Sequence, residues 1–265
     1  MSQLGKRLIS SAFFVTIAVS TIFLAPSWLF LLVTEALVLL SLNEYLGIAE
    51  QRAPEISRPL SLSLGALIPI AFYWSSETMV LVLVTLILFV YHFKKDLRKK
   101  VLLNCSLTLL GLVYIAWFFS FVIKLRALDG GAQWVFFTVL IVKGGDAGAY
   151  FFGSKFGKEK LIEHISPNKS VEGAFGGFVT TLVLALLSVT YLPYKNLFYI
   201  GFLGVMVAII SQLGDLVESL IKRDVEVKDS GQIPGLGGVL DVLDSLLLSV
   251  PFVYYYVTML GVISQ

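Results

Sequence analysis

The sequence predicts an all-α integral membrane protein, a polytopic bundle of about nine transmembrane helices with its N-terminus in the cytoplasm. Three observations predict it. Of 265 residues, 57% are hydrophobic and only 14% charged, against about 25% charged in a soluble domain, and the mean hydropathy is +0.86. The apolar residues form continuous runs close to the roughly 20 residues that a helix needs to cross a bilayer, without the polar/apolar alternation of barrel strands. The cations, finally, are divided very unevenly between alternate connecting segments.

Taken in order, the runs place spans at 8–25, 28–47, 59–75, 77–93, 102–123, 133–152, 173–193, 197–221 and 236–262. The first begins like a signal peptide, with Lys6 and Arg7 before an apolar stretch, but no convincing small-residue cleavage site follows, so it reads as a retained span. With the N-terminus inside, the inside segments hold Lys6, Arg7, Arg52, Arg58, Lys94, Lys95, Arg98, Lys99, Lys100, Lys155, Lys158, Lys160, Lys169, Lys222, Arg223 and Lys228. The outside segments hold only Lys124, Arg126 and Lys195, and Lys143 falls within a span. Lys/Arg excess marks the cytoplasmic side. The polar loops 153–172 and 222–235 therefore face the cytoplasm. Two regions follow: an N-terminal set of about five spans over 1–125 and a charge-bearing C-terminal region over 126–265. The single cysteine, Cys105, rules out an internal disulfide or a cysteine metal cage.

The C-terminal region carries the chemistry. In the span 197–221, Ser211, Asp215, Glu218, Ser219 and Lys222 share one helical face, the pattern of an apolar helix looking into a hydrated cavity. Asp215 lies roughly 10 Å from Lys222 along the axis, at about 1.5 Å per residue. Carboxylates at membrane depth are costly unless they pair, bind metal or line a wet cavity. The next span opens with Gly237 and Gly238, then Asp241 and Asp244 one turn apart. Asp215, Asp241 and Asp244 make an oxygen-ligand set suited to Mg²⁺, which favours carboxylates together with substrate phosphate oxygens. Asp241 also suits a plainer use, as an acidic first turn complementing the helix dipole. Between the two spans, KRDVEVKDSGQIPGLGG offers cations and glycines whose N–H groups, with the following helix N-terminus, can approach phosphate.

A second polar segment, 143–177, repeats the theme. Asp146 sits among small residues that permit close helix packing, Ser170 or Asn168 can cap the next helix, and Lys169 offers a phosphate cation. A helix–loop–helix with packing glycines is the plainer reading of this segment. No GxxxxGK[ST] loop is present. His92 and His164 are isolated, which leaves no histidine zinc site or serine–histidine–acid triad. Glu35 and Glu44 in the second span support nothing specific alone. No basic–aromatic surface for nucleic acid is evident.

At these residues the sequence resembles the phosphatidate cytidylyltransferase (CDP-diacylglycerol synthase) family. That family's C-terminal pattern is roughly S-x-x-K-R-x4-K-D-x-G, a short spacer, then P-G-H-G-G-x-x-D-R-x-D. Here Ser219, Lys222, Arg223, Lys228, Asp229, Gly231, Pro234, Gly235, Gly237, Gly238, Asp241 and Asp244 match in order, after a fitting GDLxES at Gly214 to Ser219. Its central pattern is similar to Asp146, Gly148, Ala149, Tyr150, Gly153, Phe156, Gly157 and Lys158, then Ser166, Pro167, Lys169, Ser170, Glu172, Gly173, Gly176 and Gly177. In the first half only the basic start and Asn43-Glu44-Tyr45 look similar. Leu236 stands where the family usually has His, Val242 where it usually has Arg, and the spacer after Gly231 is one residue short.

The resemblance implies transfer of CMP from CTP to phosphatidic acid, giving CDP-diacylglycerol and pyrophosphate, in a cell's inner (cytoplasmic) membrane with the site facing the cytoplasm. It assigns catalytic roles to Asp215, Asp241, Lys222, Arg223 and Asp229. Substrate contacts go to Asp146, Ser166, Lys169, Glu172, Ser219, Lys228, Gly237 and Gly238. Metal binding goes to Asp215, Asp241 and Asp244, with Mg²⁺ as cofactor and a second, monovalent cation left open. A homodimer fits the same resemblance. The alternatives are a CTP-dependent polyprenol or phytol kinase, which would release CDP, a transporter, against which no inverted repeat is evident, and an inactive scaffold.

Overall fold

The computed structural model describes residues 15–93, 100–227 and 237–263, with side chains as far as 259. It is helical, in the order α1 (Val15–Leu24), α2 (Ser27–Ala49), α3 (Arg58–Tyr73), α4 (Glu77–Tyr91), α5 (Val101–Ala127), α6 (Gly131–Phe156), α7 (Val171–Ser188), α8 (Leu197–Asp224) and α9 (Val239–Ile263). Among the described residues six of these, α2 and α5 to α9, are long and apolar enough to cross a membrane. α3 and α4, expected as spans, have 16 and 15 residues. At about 1.5 Å per residue they reach only roughly 22–24 Å, short of a hydrocarbon core of about 30 Å. The start of the expected span 8–25 lies outside the described residues. Large apolar side chains open to the surroundings, such as Leu32, Leu86, Phe175 and Leu187 at 55%, 56%, 69% and 61% exposure, form the surface that lipid would cover.

One departure from an all-helical chain lies between α6 and α7. Lys160–Ile162 (β1) and Ser166–Ser170 (β2) pair antiparallel with an irregular register. Strands this short, with Pro167 inside, carry too little alternation to be legible in advance.

Two packing blocks position the rest. In the first, Leu42, Tyr45 and Leu46 of α2 are buried against Ile68 of α3 and Leu112 and Ile115 of α5. A Cβ on Gly111 would lie 2.5 Å from the Tyr45 ring. The Tyr45 hydroxyl donates to the Leu107 carbonyl at 2.9 Å, just before a π-helical turn at Leu112–Trp117. From that turn Tyr114 reaches α8 and donates to the Gly214 carbonyl at 3.3 Å. In the second block α6 and α7 lie antiparallel along small residues. A Cβ on Gly173 would come within 2.9 Å of the Ala149 carbonyl, and one on Gly145 within 2.1 Å of Thr181 Oγ1. Helices approach this closely only where side chains are absent. Ser170 caps α7 by accepting from Gly173 N at 3.1 Å, and Asn196 caps α8 by accepting from Phe198 N at 3.0 Å, satisfying N–H groups that a helix start leaves unpaired.

Candidate functional site

The close seam of α6 and α7, the hairpin and the polar face of α8 enclose a cavity of about 500 Å³. Asp146 comes from α6, Ser166 and Lys169 from β2, Gln212 and Asp215 from α8, and all five line it. Gln212 also ties two walls together, donating from Nε2 to the Ala174 carbonyl of α7 at 3.1 Å. Of the expected polar stripe of α8, Ser211 and Asp215 face the cavity while Glu218, Ser219 and Lys222 do not, and Lys169 and Asp215 meet across it, with Nζ 2.7 Å from Oδ2.

Two further lysines are paired with acids. Lys222, on α8 and 11% exposed, lies 2.5 Å from Glu218 and 2.6 Å from Asp241 of α9; the two acids are 1% and 15% exposed. Lys143 of α6 donates to Asp146 and to Ser245 Oγ, both at 2.9 Å, and Ser245 Oγ in turn donates to Asp146 at 3.0 Å. Asp244 is buried, accepts from Ser245 N at 2.5 Å, and lies within electrostatic reach of Asp215, Lys143 and Asp146. Lys222–Asp241, Lys143–Ser245 and Ser245–Asp146 join different helices, whereas Lys222–Glu218 and Lys143–Asp146 are separated by about one turn on one helix.

The start of α9 is closed by carboxylates, with Asp241 in its first turn. Gly237 has φ +81, a conformation that favours glycine, and a Cβ there would lie 2.5 Å from Asp241 Oδ2 and push that carboxylate aside. The N–H groups that the sequence offers to phosphate are turned to carboxylates. Gly238 N donates to Asp241 Oδ2 at 2.5 Å, Val239 N to Glu44 Oε1 at 2.9 Å and Leu240 N to Glu44 Oε2 at 2.8 Å. Asp241 closes the helix start as a third-position acid does in a capping box, while its Oδ1 holds Lys222. Asp241 and Glu44 thus occupy the positive helix end beside Gly237 and Gly238, the residues to which the sequence assigns substrate contacts.

The remaining expected residues fall as follows. Arg223 is exposed and donates from Nε to the Ile165 carbonyl at 3.1 Å, tying α8 to the hairpin. Glu172 accepts from the N–H groups of Lys158 and Glu159 at 3.0 and 3.4 Å, so it orders the chain leaving α6 rather than facing the cavity. Ser219 is half-buried on α8. Lys228 and Asp229 lie outside the described residues. Lys222, Asp241 and Asp244 are not part of the cavity lining. Among the described residues no three His, Cys, Asp or Glu side chains gather into a metal-holding group. Asp215 and Asp241 instead hold the ammonium groups of Lys169 and Lys222. Carboxylate oxygens are the donor type that Mg²⁺ takes, but Asp215, Asp241 and Asp244 are not gathered into one such group.

Three contributors were not legible from the sequence. Lys143 is a single cation inside an apolar run, and its one signal is Asp146 three residues on. Glu44 and Ser245 find partners 195 and 99 positions away in the chain, and no local pattern reports that.

Comparison with known proteins narrows the reading. The model of the cytidylyltransferase family matches residues 5–260. A phosphatidate cytidylyltransferase of Bacillus subtilis is 45% identical over 150 residues, 55% of this chain and 55% of the relative. One of Haemophilus influenzae is 47% identical over 126 residues, 45% of this chain and 44% of the relative. The chain thus matches about half the length of these two relatives. A phosphatidate cytidylyltransferase of Synechocystis is 32% identical over 286 residues, 96% of this chain and 97% of the relative.

Proposed function

The chain belongs to the cytidylyltransferase family, and from that premise we propose that it is an enzyme of phospholipid biosynthesis that transfers CMP from CTP to phosphatidic acid, yielding CDP-diacylglycerol and pyrophosphate. The observation that carries the reading is the Lys169–Asp215 pair on the wall of a 500 Å³ cavity between membrane-crossing helices. It is a charged pocket at membrane depth, where a lipid phosphate can meet a soluble nucleotide.

In this reading an anionic oxygen of the phosphatidate attacks the α-phosphorus of CTP, and the bridging oxygen leaves with pyrophosphate. The nucleophile is already ionised, so the site supplies position and positive charge more than a base. Lys169, Lys222 and Arg223, with Lys228, hold phosphates. Lys169 and Lys222 are held ready by Asp215 and by Asp241 with Glu218. A triphosphate entering the cavity competes with Asp215 for the Lys169 ammonium group, and drawing that lysine away leaves the Asp215 carboxylate open to a metal cation. Mg²⁺ held by Asp215, Asp241 and Asp244 would supply charge against the α-phosphate and the leaving pyrophosphate. Asp146 steadies Lys143, and Asp229 belongs to the same set through its place in the motif.

The reading also includes about nine membrane helices, three of them shorter than a full span among the described residues, an N-terminus in the cytoplasm and a cytoplasm-facing site in an inner membrane. The charge asymmetry of the connecting segments supports that orientation. In it 1–125 serves as support and 126–265 as the catalytic region. The test is product analysis. Purified protein with CTP, Mg²⁺ and phosphatidic acid is expected to release pyrophosphate and form CDP-diacylglycerol. Release of CDP with a phosphorylated lipid would replace the assignment by a kinase, and no CTP turnover would end it.

A further inference from the structure

Glu44 does a task that no motif assigns to it. Its two carboxylate oxygens each accept one N–H of the first turn of α9, from Val239 at 2.9 Å and Leu240 at 2.8 Å. A bidentate carboxylate on successive N–H groups fixes both the place and the direction of a helix end, and its charge complements the positive end of the dipole. Asp241 belongs to that same turn. Its Oδ2 accepts from Gly238 N and its Oδ1 holds Lys222 at 2.6 Å, and Lys222 meets Glu218. Moving the first turn of α9 therefore moves Asp241 relative to Lys222.

We propose that Glu44 is a positioning residue for the transfer site. From α2 it anchors the opening turn of α9, and so sets where Asp241 presents Lys222 to the substrate phosphates. A second contact from the same end of α2 points the same way. Arg52, just beyond α2, donates from Nε to Asp224 Oδ2 at 3.0 Å and also to the Asp224 carbonyl. Asp224 is the last residue of α8. The points where the chain leaves α8 and enters α9 are thus both held by residues 44–52, in the half of the molecule that otherwise contributes packing. The kinetic part of this inference rests on the CMP-transfer reading; the structural part does not.

The experiment compares the unsubstituted protein with Glu44→Ala and Glu44→Gln in lipid nanodiscs. Three quantities are read: amide hydrogen exchange over 239–241, kcat and KM with CTP and phosphatidic acid per folded protein, and the thermal midpoint. In Glu44→Ala the Val239 and Leu240 amides are expected to exchange roughly tenfold faster or more, because they lose a charge-assisted acceptor. kcat is expected to fall roughly 10- to 100-fold, the scale of a misplacement near 1 Å, with KM for phosphatidate within about twofold. Glu44→Gln keeps one acceptor oxygen and should recover part of both effects; it carries the test if Glu44→Ala does not fold. Unchanged exchange overturns the proposal, as does faster exchange at wild-type kcat, or a loss of activity no larger than the loss of folded protein. If the unsubstituted protein makes no CDP-diacylglycerol, the transfer reading falls, and the exchange measurement alone decides whether Glu44 anchors α9.

Discussion

The Lys169–Asp215 pair and the Lys222–Glu218–Asp241 cluster share helix α8 and the same ammonium–carboxylate chemistry, yet they sit in opposite surroundings. Asp215 lies roughly 10 Å further into the helix from its C-terminal end than Lys222, at about 1.5 Å per residue. It should be the drier of the two. Instead Asp215 and Lys169 are 35% and 26% exposed, while Glu218 and Lys222 are 1% and 11% exposed. The cavity decides which charges are wet, and depth along the helix does not. The wet pair can exchange partners with a substrate at modest cost. The dry cluster cannot lose a member without stranding a buried charge.

The largest expected effect breaks the dry cluster. Lys222→Ala leaves Glu218 and Asp241 facing each other without their shared cation, and removing one partner of a buried pair costs about 3–5 kcal/mol. Thermal unfolding in detergent should show the midpoint falling by about 10 °C. Adding Glu218→Gln to that variant should restore part of the loss. An unchanged midpoint would mean that the cluster is not the lock its burial implies. The wet pair should behave in the opposite way. Asp215→Asn is expected to lower the rate of CDP-diacylglycerol formation by roughly 100-fold or more, the scale of losing one preorganised charge partner at a reacting centre. Its midpoint should stay within about 2 °C, because the cavity can hydrate Lys169. Normal turnover in Asp215→Asn would remove this residue from the mechanism.

The same contrast explains what the sequence could tell. Asp146, Asp215 and Asp241 were legible because a carboxylate inside an apolar run has few bland explanations, and helical spacing placed Asp215 and Lys222 on one face. The spans 102–123, 133–152, 173–193, 197–221 and 236–262 reappear as α5 to α9 with shifts at their ends. What stayed hidden depends on distant partners. Asp241 was open to either a metal or a capping role, and only the fold brings Lys222 and Gly238 N to it together. Nothing local to Gly237 and Gly238 reports that Glu44, from the other half of the chain, takes the N–H groups of Val239 and Leu240 just after them. The lengths of α3 and α4 were hidden because hydropathy reports apolar runs and not where a helix stops.

Lys169 sharpens the comparison at a smaller scale. Lys169→Met removes a charge-assisted contact to phosphate, worth about 1.5 kcal/mol or roughly tenfold. The expected result is a KM for CTP raised about tenfold, with kcat falling less. Lys169→Arg keeps the charge but presents a planar fork where a point charge pairs with Asp215, so it should recover only part of the affinity. A loss of kcat at constant KM would move Lys169 from binding nucleotide to the transfer step itself.

The end of α8 offers a third pair in which exposure is higher still. Arg52 and Asp224 are 54% and 67% exposed, and an open pair of this kind contributes about 0–1 kcal/mol, falling with salt. Arg52→Ala should therefore shift the midpoint by no more than about 2 °C, and that shift should fade in roughly 0.5 M salt as the Debye length shortens. Along one helix the cost of breaking an ion pair should then rank with dryness, with Lys222 first, Lys169–Asp215 next and Arg52–Asp224 last. If Arg52→Ala proves as damaging as Lys222→Ala, and equally so at high salt, Coulomb attraction between two wet side chains cannot be the reason. The Arg52 bond to the Asp224 carbonyl, which holds the end of α8 against the end of α2, would then carry the effect. Arg52→Gln, which keeps a donor for that carbonyl without the charge, would separate the two by restoring the midpoint.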